Sequence, residues 1–294
     1  MKAGTIVGGR YEITGLIGQG GMAKLYRARH TALGSSHAIK VLNPTFVAHA
    51  DVRARFLQEG QIQANLRHAH LVPVTEIISE PGVAGLVMEY LEGEDLSDRL
   101  MAGIPAPEDA QRWMLQLLDA LDFIHSQGVI HRDIKPANVF LQRTEGGHRV
   151  RLMDFGIARR RDSRKTQTGA VMGTPAYMPP EQHVGGPLDH RADLFAAGAV
   201  FLELCCGHNA WTGDLSTADL SALSAPTQAL LRKALSKDPA ERFDSAQALS
   251  DALRELWKNT VAGLDITVTA APGLTLAAWQ NAVPLVPSVQ LDNQ

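Results

Sequence analysis

Along this chain the spacing of apolar positions changes character once. Between residues 11 and 91, short runs alternate apolar and polar side chains, YEITGLI, KLYRARH, HAIKVL, VPVTEII and GLVMEYL, with glycine-bearing turns among them. A period of two marks strands with one buried face, so this stretch predicts a small, β-rich lobe. One segment breaks the alternation. DVRARFLQEGQIQANL sets Phe56, Leu57, Ala64 and Leu66 roughly on one face and predicts a single helix. After Gly93 the period lengthens. EDAQRWMLQLLDALDFIHSQG carries Trp113, Leu117, Leu118, Leu121 and Ile124 at helical spacing, with Gly128 placed to end the helix. DLFAAGAVFLELCCG is apolar all round, which predicts a buried helix, and TQALLRKAL and SAQALSDALRELW come after it. The pattern describes an α+β chain with lobes at 11–91 and 92–258. Residues 259–294 hold prolines, few charges and no clear period, and predict a tail or a juxtamembrane linker.

Composition agrees and removes some function classes. A chain of 294 residues exceeds the usual single-domain size, and its 45% hydrophobic content suffices for a core. With 28 basic against 31 acidic residues the net charge is −3, so no polyanion-binding surface is expected and nucleic acid is not an expected partner. Cys205 and Cys206 are neighbours in an apolar run, which is neither a disulfide framework nor a metal-ligand spacing. A reducing, cytoplasmic setting is the expectation. The most apolar run, Leu194 to Leu204, is too short to span a bilayer and contains Glu203, so no membrane segment is expected.

The candidate chemistry begins at IGQGGMAKLY, residues 17–26. Gly18, Gly20 and Gly21 permit backbone amides to approach phosphate oxygens, and a tight hairpin needing positive φ would use the same glycines. A dinucleotide-binding fold would need a helix next, and the residues after the glycines are strand-like. Lys40 stands in the apolar run HAIKVL, where it is either solvated or held charged by Glu59 on the helix and aimed at phosphate. HRDIKPANVF (131–140) and LMDFG (152–156) complete the set.

In their order and spacing, the glycine-rich loop, the strand lysine, the helix glutamate, HRD with Asn138 beyond it, DFG, a PE motif and RADLF resemble the protein kinase family across residues 11–257. The resemblance implies a bilobal protein kinase fold, a small antiparallel β lobe with one helix above a larger, mainly helical lobe. It implies ATP and Mg²⁺ as cofactors and transfer of the γ-phosphoryl group to Ser/Thr hydroxyls of protein substrates. Asp133 would accept or orient the hydroxyl proton, Lys135 would neutralise the transferred group, and Asn138 and Asp154 would hold Mg²⁺. Lys40 and Glu59 would form the ion pair behind the phosphates. Leu25, Ala38, Met88 and Leu141 would line the adenine site, with the backbone of Glu89 and Leu91 as hinge. Glu181 and Arg242 would form a structural pair, and Asp193 would brace the HRD backbone. GQGGMA, LVMEYLEG and HRDIKPANV are similar to the bacterial receptor-type Ser/Thr kinases, often the cytosolic part of a membrane-anchored protein. A role in controlling type VI secretion is one reading that this likeness allows. A pseudokinase scaffold and a small-molecule phosphotransferase are the alternatives; the intact Lys40, Asp133, Asn138 and Asp154 disfavour the first, and the long segment containing GTPAYMPPE the second.

That segment, within residues 154–181, resembles an activation segment. Thr166 and Thr168 match the threonines that bacterial relatives phosphorylate, in reactions between paired kinases, with Arg132 as the phosphate receptor. Ser163 is a weaker candidate, and Thr174 fits a substrate-site role. Some positions depart from the pattern. Ala23 replaces the third loop glycine, Pro180 replaces the usual alanine before Glu181, and the stretch from Trp211 to Thr227 is short for a helix usual there. Gly60 comes directly after Glu59 and should weaken a helix interior by about 1 kcal/mol. Gln63 falls where an apolar contact to Phe155 is usual, or else finds solvent or backbone. These two residues predict a marginal helix and a Lys40–Glu59 pair that is open in the resting protein.

Overall fold

The computed structural model describes residues 1–155, 175–262, 265–267 and 290–292. The chain divides into two units, Met1–Ser250 and Asp251–Gln294. In the first unit the alternating segments become β1 (Ile6–Val7), β2 (Tyr11–Gln19), β3 (Ala23–His30), β4 (Ser36–Leu42), β5 (Val74–Glu80) and β6 (Val83–Glu89). They form one antiparallel sheet in the order β1-β2-β3-β4-β6-β5. The sheet starts before residue 11, because Ile6 pairs with Glu12 and the Met1 amino group donates to the Tyr26 hydroxyl at 2.9 Å.

Two helices interrupt the strands, the short α1 (Pro44–Val47) and α2 (Ala50–Asn65). Because successive side chains point to opposite faces, β6 serves two cores. Val87 joins Tyr11, Ile13, Tyr26, Ile39 and Val41 on one side. Ala84, Leu86 and Met88 join Leu42, Phe56, Val72 and Val74 on the other, where Phe56 comes from α2. Burial on both faces explains why β6 reads as a nearly continuous apolar run.

Past the sheet come β7 (Gly93–Asp95), α3 (Leu96–Met101), α4 (Pro107–Ser126), β8 (Val139–Thr144) and β9 (Gly147–Leu152). The three strands form a small sheet ordered β7-β8-β9, which the sequence pattern did not announce. Pro107 opens α4, and Gly128 ends its turn at a φ of 71° that a side-chain-bearing residue rarely takes. Next are α5 (Pro180–His183), α6 (Arg191–Cys206), α7 (Ala225–Ala234) and α8 (Ala246–Ala262), which runs across the boundary between the units. Every residue of α6 from Ala192 to Leu204 is buried, as expected of a helix that is apolar nearly all round. Between Trp211 and Ser224 the described chain makes a single 3-10 turn, Leu215–Thr217, in keeping with the short stretch noted there. In the second unit β10 (Asp265–Thr267) pairs antiparallel with β11 (Gln290–Asp292), where the sequence pattern had predicted only a tail. Among the described residues no helix is long and apolar enough to cross a membrane.

The structure corrects the reading of Gly60. A Cβ built there would lie 2.3 Å from Leu86 Cδ2 and 3.4 Å from Ile77 Cδ1. Glycine at 60 therefore lets α2 lie close against Leu86 of β6 and Ile77 of β5. Gln63 is buried and donates from Nε2 to the Val72 carbonyl at 2.8 Å, so its partner is backbone. Both residues fasten the helix to the sheet. Helix propensity alone would have Gly60→Ala add about 1 kcal/mol of stability, whereas overpacking against buried Leu86 costs about 1–3 kcal/mol. We expect a net loss of about 1 kcal/mol in urea unfolding; a gain of that size would show that the close approach is not limiting.

Candidate active site

Lys40 lies on β4, paired with Leu25 of β3 and Leu86 of β6, so its stem crosses an apolar sheet. Its ammonium sits 2.9 Å from Asp154 Oδ1 and 3.6 Å from Glu59 Oε1. Burial by itself disfavours the charged amine, and the Asp154 and Glu59 carboxylates reverse that, leaving the Lys40 pKa above the ordinary lysine value. Asp133 adds to the same field. Burial likewise raises the Asp154 pKa, and Lys40 more than reverses it, so this carboxyl stays ionised well below neutral pH. The pair with Glu59 is closed, contrary to the open pair that the sequence suggested. The physical reason lies in α2, which Gly60 and Gln63 hold against the sheet with Glu59 turned into the interior.

The HRD loop is held from below. Asp193, at the start of buried α6, accepts from the His131 amide at 2.8 Å through Oδ2 and from the Arg132 amide at 2.7 Å through Oδ1. His125 Nε2 lies 2.9 Å from Oδ2. Burial would raise the Asp193 pKa, but these donors and the nearby histidines bring it below the usual carboxylate range. This grip maintains a left-handed backbone at Arg132, φ 69°. Asp154 is also left-handed, φ 58°. Such conformations cost about 1–3 kcal/mol each and persist where neighbours impose them. His131 is fully buried, with Nε2 3.1 Å from the Met153 carbonyl and its ring 4.7 Å from that of Phe155, which ties the two loops together.

Above this base, Lys135 Nζ is 3.1 Å from Asp133 Oδ2. The Asn138 amide donates to the Asp133 carbonyl at 2.7 Å and to Oδ2 at 2.9 Å. Those bonds use the nitrogen of Asn138 and orient the opposite terminus, an oxygen, as the donor atom a hard cation takes. One amide oxygen and the Asp154 carboxylate suit Mg²⁺, which keeps waters and takes phosphate oxygens for the rest of its shell. Among the described residues no group of three His, Cys, Asp or Glu is set to hold a metal, so any ion here would depend on nucleotide and water to complete its shell.

Gly18 and Gly20 bear on the choice left open at the loop. Neither has positive φ, so neither is required by the backbone. A Cβ at Gly18 would meet nothing within 4 Å. The hairpin thus imposes no need for glycine at position 18. Gly21 lies in the turn between β2 and β3. Behind the loop, Ala38 pairs with Met88 across β4 and β6, both buried, and Leu141 is buried on β8. Leu25 and Leu91 are half-buried against the same core, and Glu89 ends β6. Leu25, Ala38, Met88, Glu89 and Leu141 thus stand on β3, β4, β6 and β8, and Leu91 lies in the connection from β6 to β7.

Glu181 and Arg242 form a two-pronged pair at 2.7 and 2.8 Å with the guanidinium fully buried. Sequence reasoning passed over two anchors nearby. Tyr177 donates to Glu203 Oε2 at 2.6 Å, and the Trp211 indole donates to the Ala176 carbonyl at 2.6 Å. The available signal for the first was Glu203 itself, an acid in an otherwise apolar helix. Thr166 and Thr168, with Ser163 and Thr174, lie outside the described residues.

Comparison with known proteins agrees with this geometry. The family profile described as "Protein kinase domain" matches residues 11–257. A probable serine/threonine-protein kinase of Streptomyces coelicolor is 35% identical, covering 95% of this chain and 44% of that protein. The serine/threonine-protein kinase PknJ of Mycobacterium tuberculosis is 36% identical, covering 86% of this chain and 46% of that protein. The chain thus spans less than half the length of these relatives. The crystal structure of the Mycobacterium tuberculosis PknI kinase domain superposes with a TM-score of 0.72 at 29% identity, covering 87% of this chain and 99% of that one. Sequence and fold converge: the chain belongs to the protein kinase domain family, in its bacterial, Hanks-type serine/threonine group.

Proposed function

We propose that the protein transfers the γ-phosphoryl group of ATP to Ser or Thr hydroxyls of protein substrates. The observation that supports this most is the convergence of Asp133, Lys135 and Asn138 on one side of the cleft with Lys40, Glu59 and Asp154 on the other. Lys40 is fixed and charged where the phosphates would lie beneath the Gly18–Gly21 loop. Asn138 and Asp154 are the Mg²⁺ ligands in this reading, and the ion supplies neutralisation of phosphate charge when bound. Asp133 receives the hydroxyl proton or orients it, and Lys135, tethered to Asp133, faces the negative charge of the transferring group. The backbone of Glu89 and Leu91 takes the adenine. No covalent intermediate on the enzyme is needed, because positioning and charge carry the catalysis.

Regulation belongs to the same proposal. Thr166 and Thr168 are phosphorylated by a second copy of the chain, and the Arg132 guanidinium receives a phosphate carrying about −1.5 to −2 charge. Protein substrates, a transient pair of kinases and the reducing cytoplasm are the setting this chemistry favours. The closed Lys40–Glu59 pair gives the pseudokinase reading no support.

Purified protein incubated with Mg·ATP should incorporate phosphate, mapped by mass spectrometry. Asp133→Asn should lower the transfer rate by about 10²–10⁴-fold, the range of a lost general base; equal incorporation would remove Asp133 from its role. Replacing Thr166 and Thr168 together by Ala should lower activity on an added substrate about tenfold or more. That corresponds to one lost charge-assisted hydrogen bond of about 1.5–3 kcal/mol. Undiminished activity would remove the switch.

A further inference from the structure

Arg151, on β9 three residues before Asp154, is a buried cation to which the reaction above gives no task. Its side chain is 9% exposed, and its three guanidinium nitrogens each donate to a different part of the fold. Nε reaches the Leu71 carbonyl at 3.1 Å, in the segment joining α2 to β5. Nη1 reaches Gln142 Oε1 at 2.9 Å on β8. Nη2 reaches Glu89 Oε2 at 2.8 Å, at the end of β6 where the chain leaves the upper sheet. Planar geometry with separated donors makes this possible for arginine; a lysine offers a single nitrogen.

The backbone beside it is stitched as well. Leu152 donates to the His70 carbonyl at 2.8 Å, Val72 donates to the Leu152 carbonyl at 3.0 Å, and Leu71 and Leu152 form a parallel bridge. The connections close into a circuit. From β9, Arg151 grips Glu89; Glu89 pairs with His37 on β4; three residues along β4, Lys40 grips Asp154; and Asp154 returns to β9. Two polar ties therefore fix β9 to the upper sheet about 10 Å apart along an extended chain. One lies at the adenine end of the cleft and the other at the phosphate end.

We propose that Arg151 is a positioning residue that fixes the hinge Glu89–Leu91 relative to Asp154, and so sets the length of the nucleotide slot before ATP arrives. This rests on the ATP-dependent reading above. Arg151 touches no reacting atom, so its loss acts on binding of the nucleotide. A hinge correctly placed for only a tenth of the time would weaken apparent affinity about tenfold and leave the chemistry of the bound state alone.

The test is steady-state kinetics of Arg151→Met, Arg151→Lys and Glu89→Gln, and the Met/Gln double variant, with thermal unfolding of each. Arg151→Met should raise the KM for ATP about tenfold with kcat within about twofold, and Arg151→Lys should not restore it. Glu89 is half-exposed, so Glu89→Gln should fold and raise KM in the same direction. The double variant should be no worse than Arg151→Met, because both substitutions cut one tie. An unchanged KM with a lowered unfolding temperature would assign Arg151 to stability alone and overturn the proposal. So would single effects that multiply in the double variant, or a rise in kcat/KM. Wild-type protein that transfers no phosphate would instead overturn the proposed function. The tie would then be read from the calorimetric affinity of ATP itself for the same variants, where equal affinities overturn it.

Discussion

The ammonium of Lys40 between Asp154 and Glu59 is the interaction on which the cleft depends. A cation in an apolar sheet is tolerable only when paired, and its two partners come from separate elements, α2 and the loop after β9. The sheet, the helix and the DFG loop must therefore be in register at once. Apolar packing determines that register. Gly60 lets α2 approach Leu86, and Gln63 ties the same helix to Val72 on the chain entering β5. Electrostatics at the cleft is thus an outcome of how closely a helix can lie on a strand.

The lower half of the site obeys the same logic with backbone in place of side-chain charge. Asp193 takes two consecutive amides of the HRD loop and holds Arg132 in a left-handed conformation, while His131 reaches across to Met153 and Phe155. The strain at Arg132 is sustained by a helix that is buried almost throughout. On this base Lys135 and Asn138 both meet Asp133, and the proposed catalysis by positioning depends on that convergence. Glu181 and Arg242 anchor the chain that returns after residues 156–174.

The lobes, the long helices and the charged residues of the cleft were legible in the sequence because periodicity and spaced motifs are local signals. Gly60 was misread because propensity sees only the helix, and the deciding atom, Leu86 Cδ2, belongs to the sheet; for Gln63 a backbone partner was one of the readings left open, and the Val72 carbonyl supplies it. The loop glycines were ambiguous until backbone angles showed that the hairpin does not require them. Arg151 escaped notice because its partners lie at positions 71, 89 and 142, and no short motif joins residues so far apart. The β8–β9 hairpin and the β10–β11 pair were missed for lack of strong alternation, the latter consisting of three-residue strands.

The proposal takes Lys40, Asp154 and Asn138 together as an already assembled site for nucleotide with Mg²⁺, and on this claim the proposed chemistry stands or falls. Calorimetric titration of a non-hydrolysable ATP analogue, with and without Mg²⁺, into wild type and Asp154→Asn tests it most directly. An assembled site predicts that Mg²⁺ tightens binding to wild type about tenfold or more, as one good charge interaction allows, and that this gain disappears in Asp154→Asn. An equal Mg²⁺ effect in both proteins would contradict it.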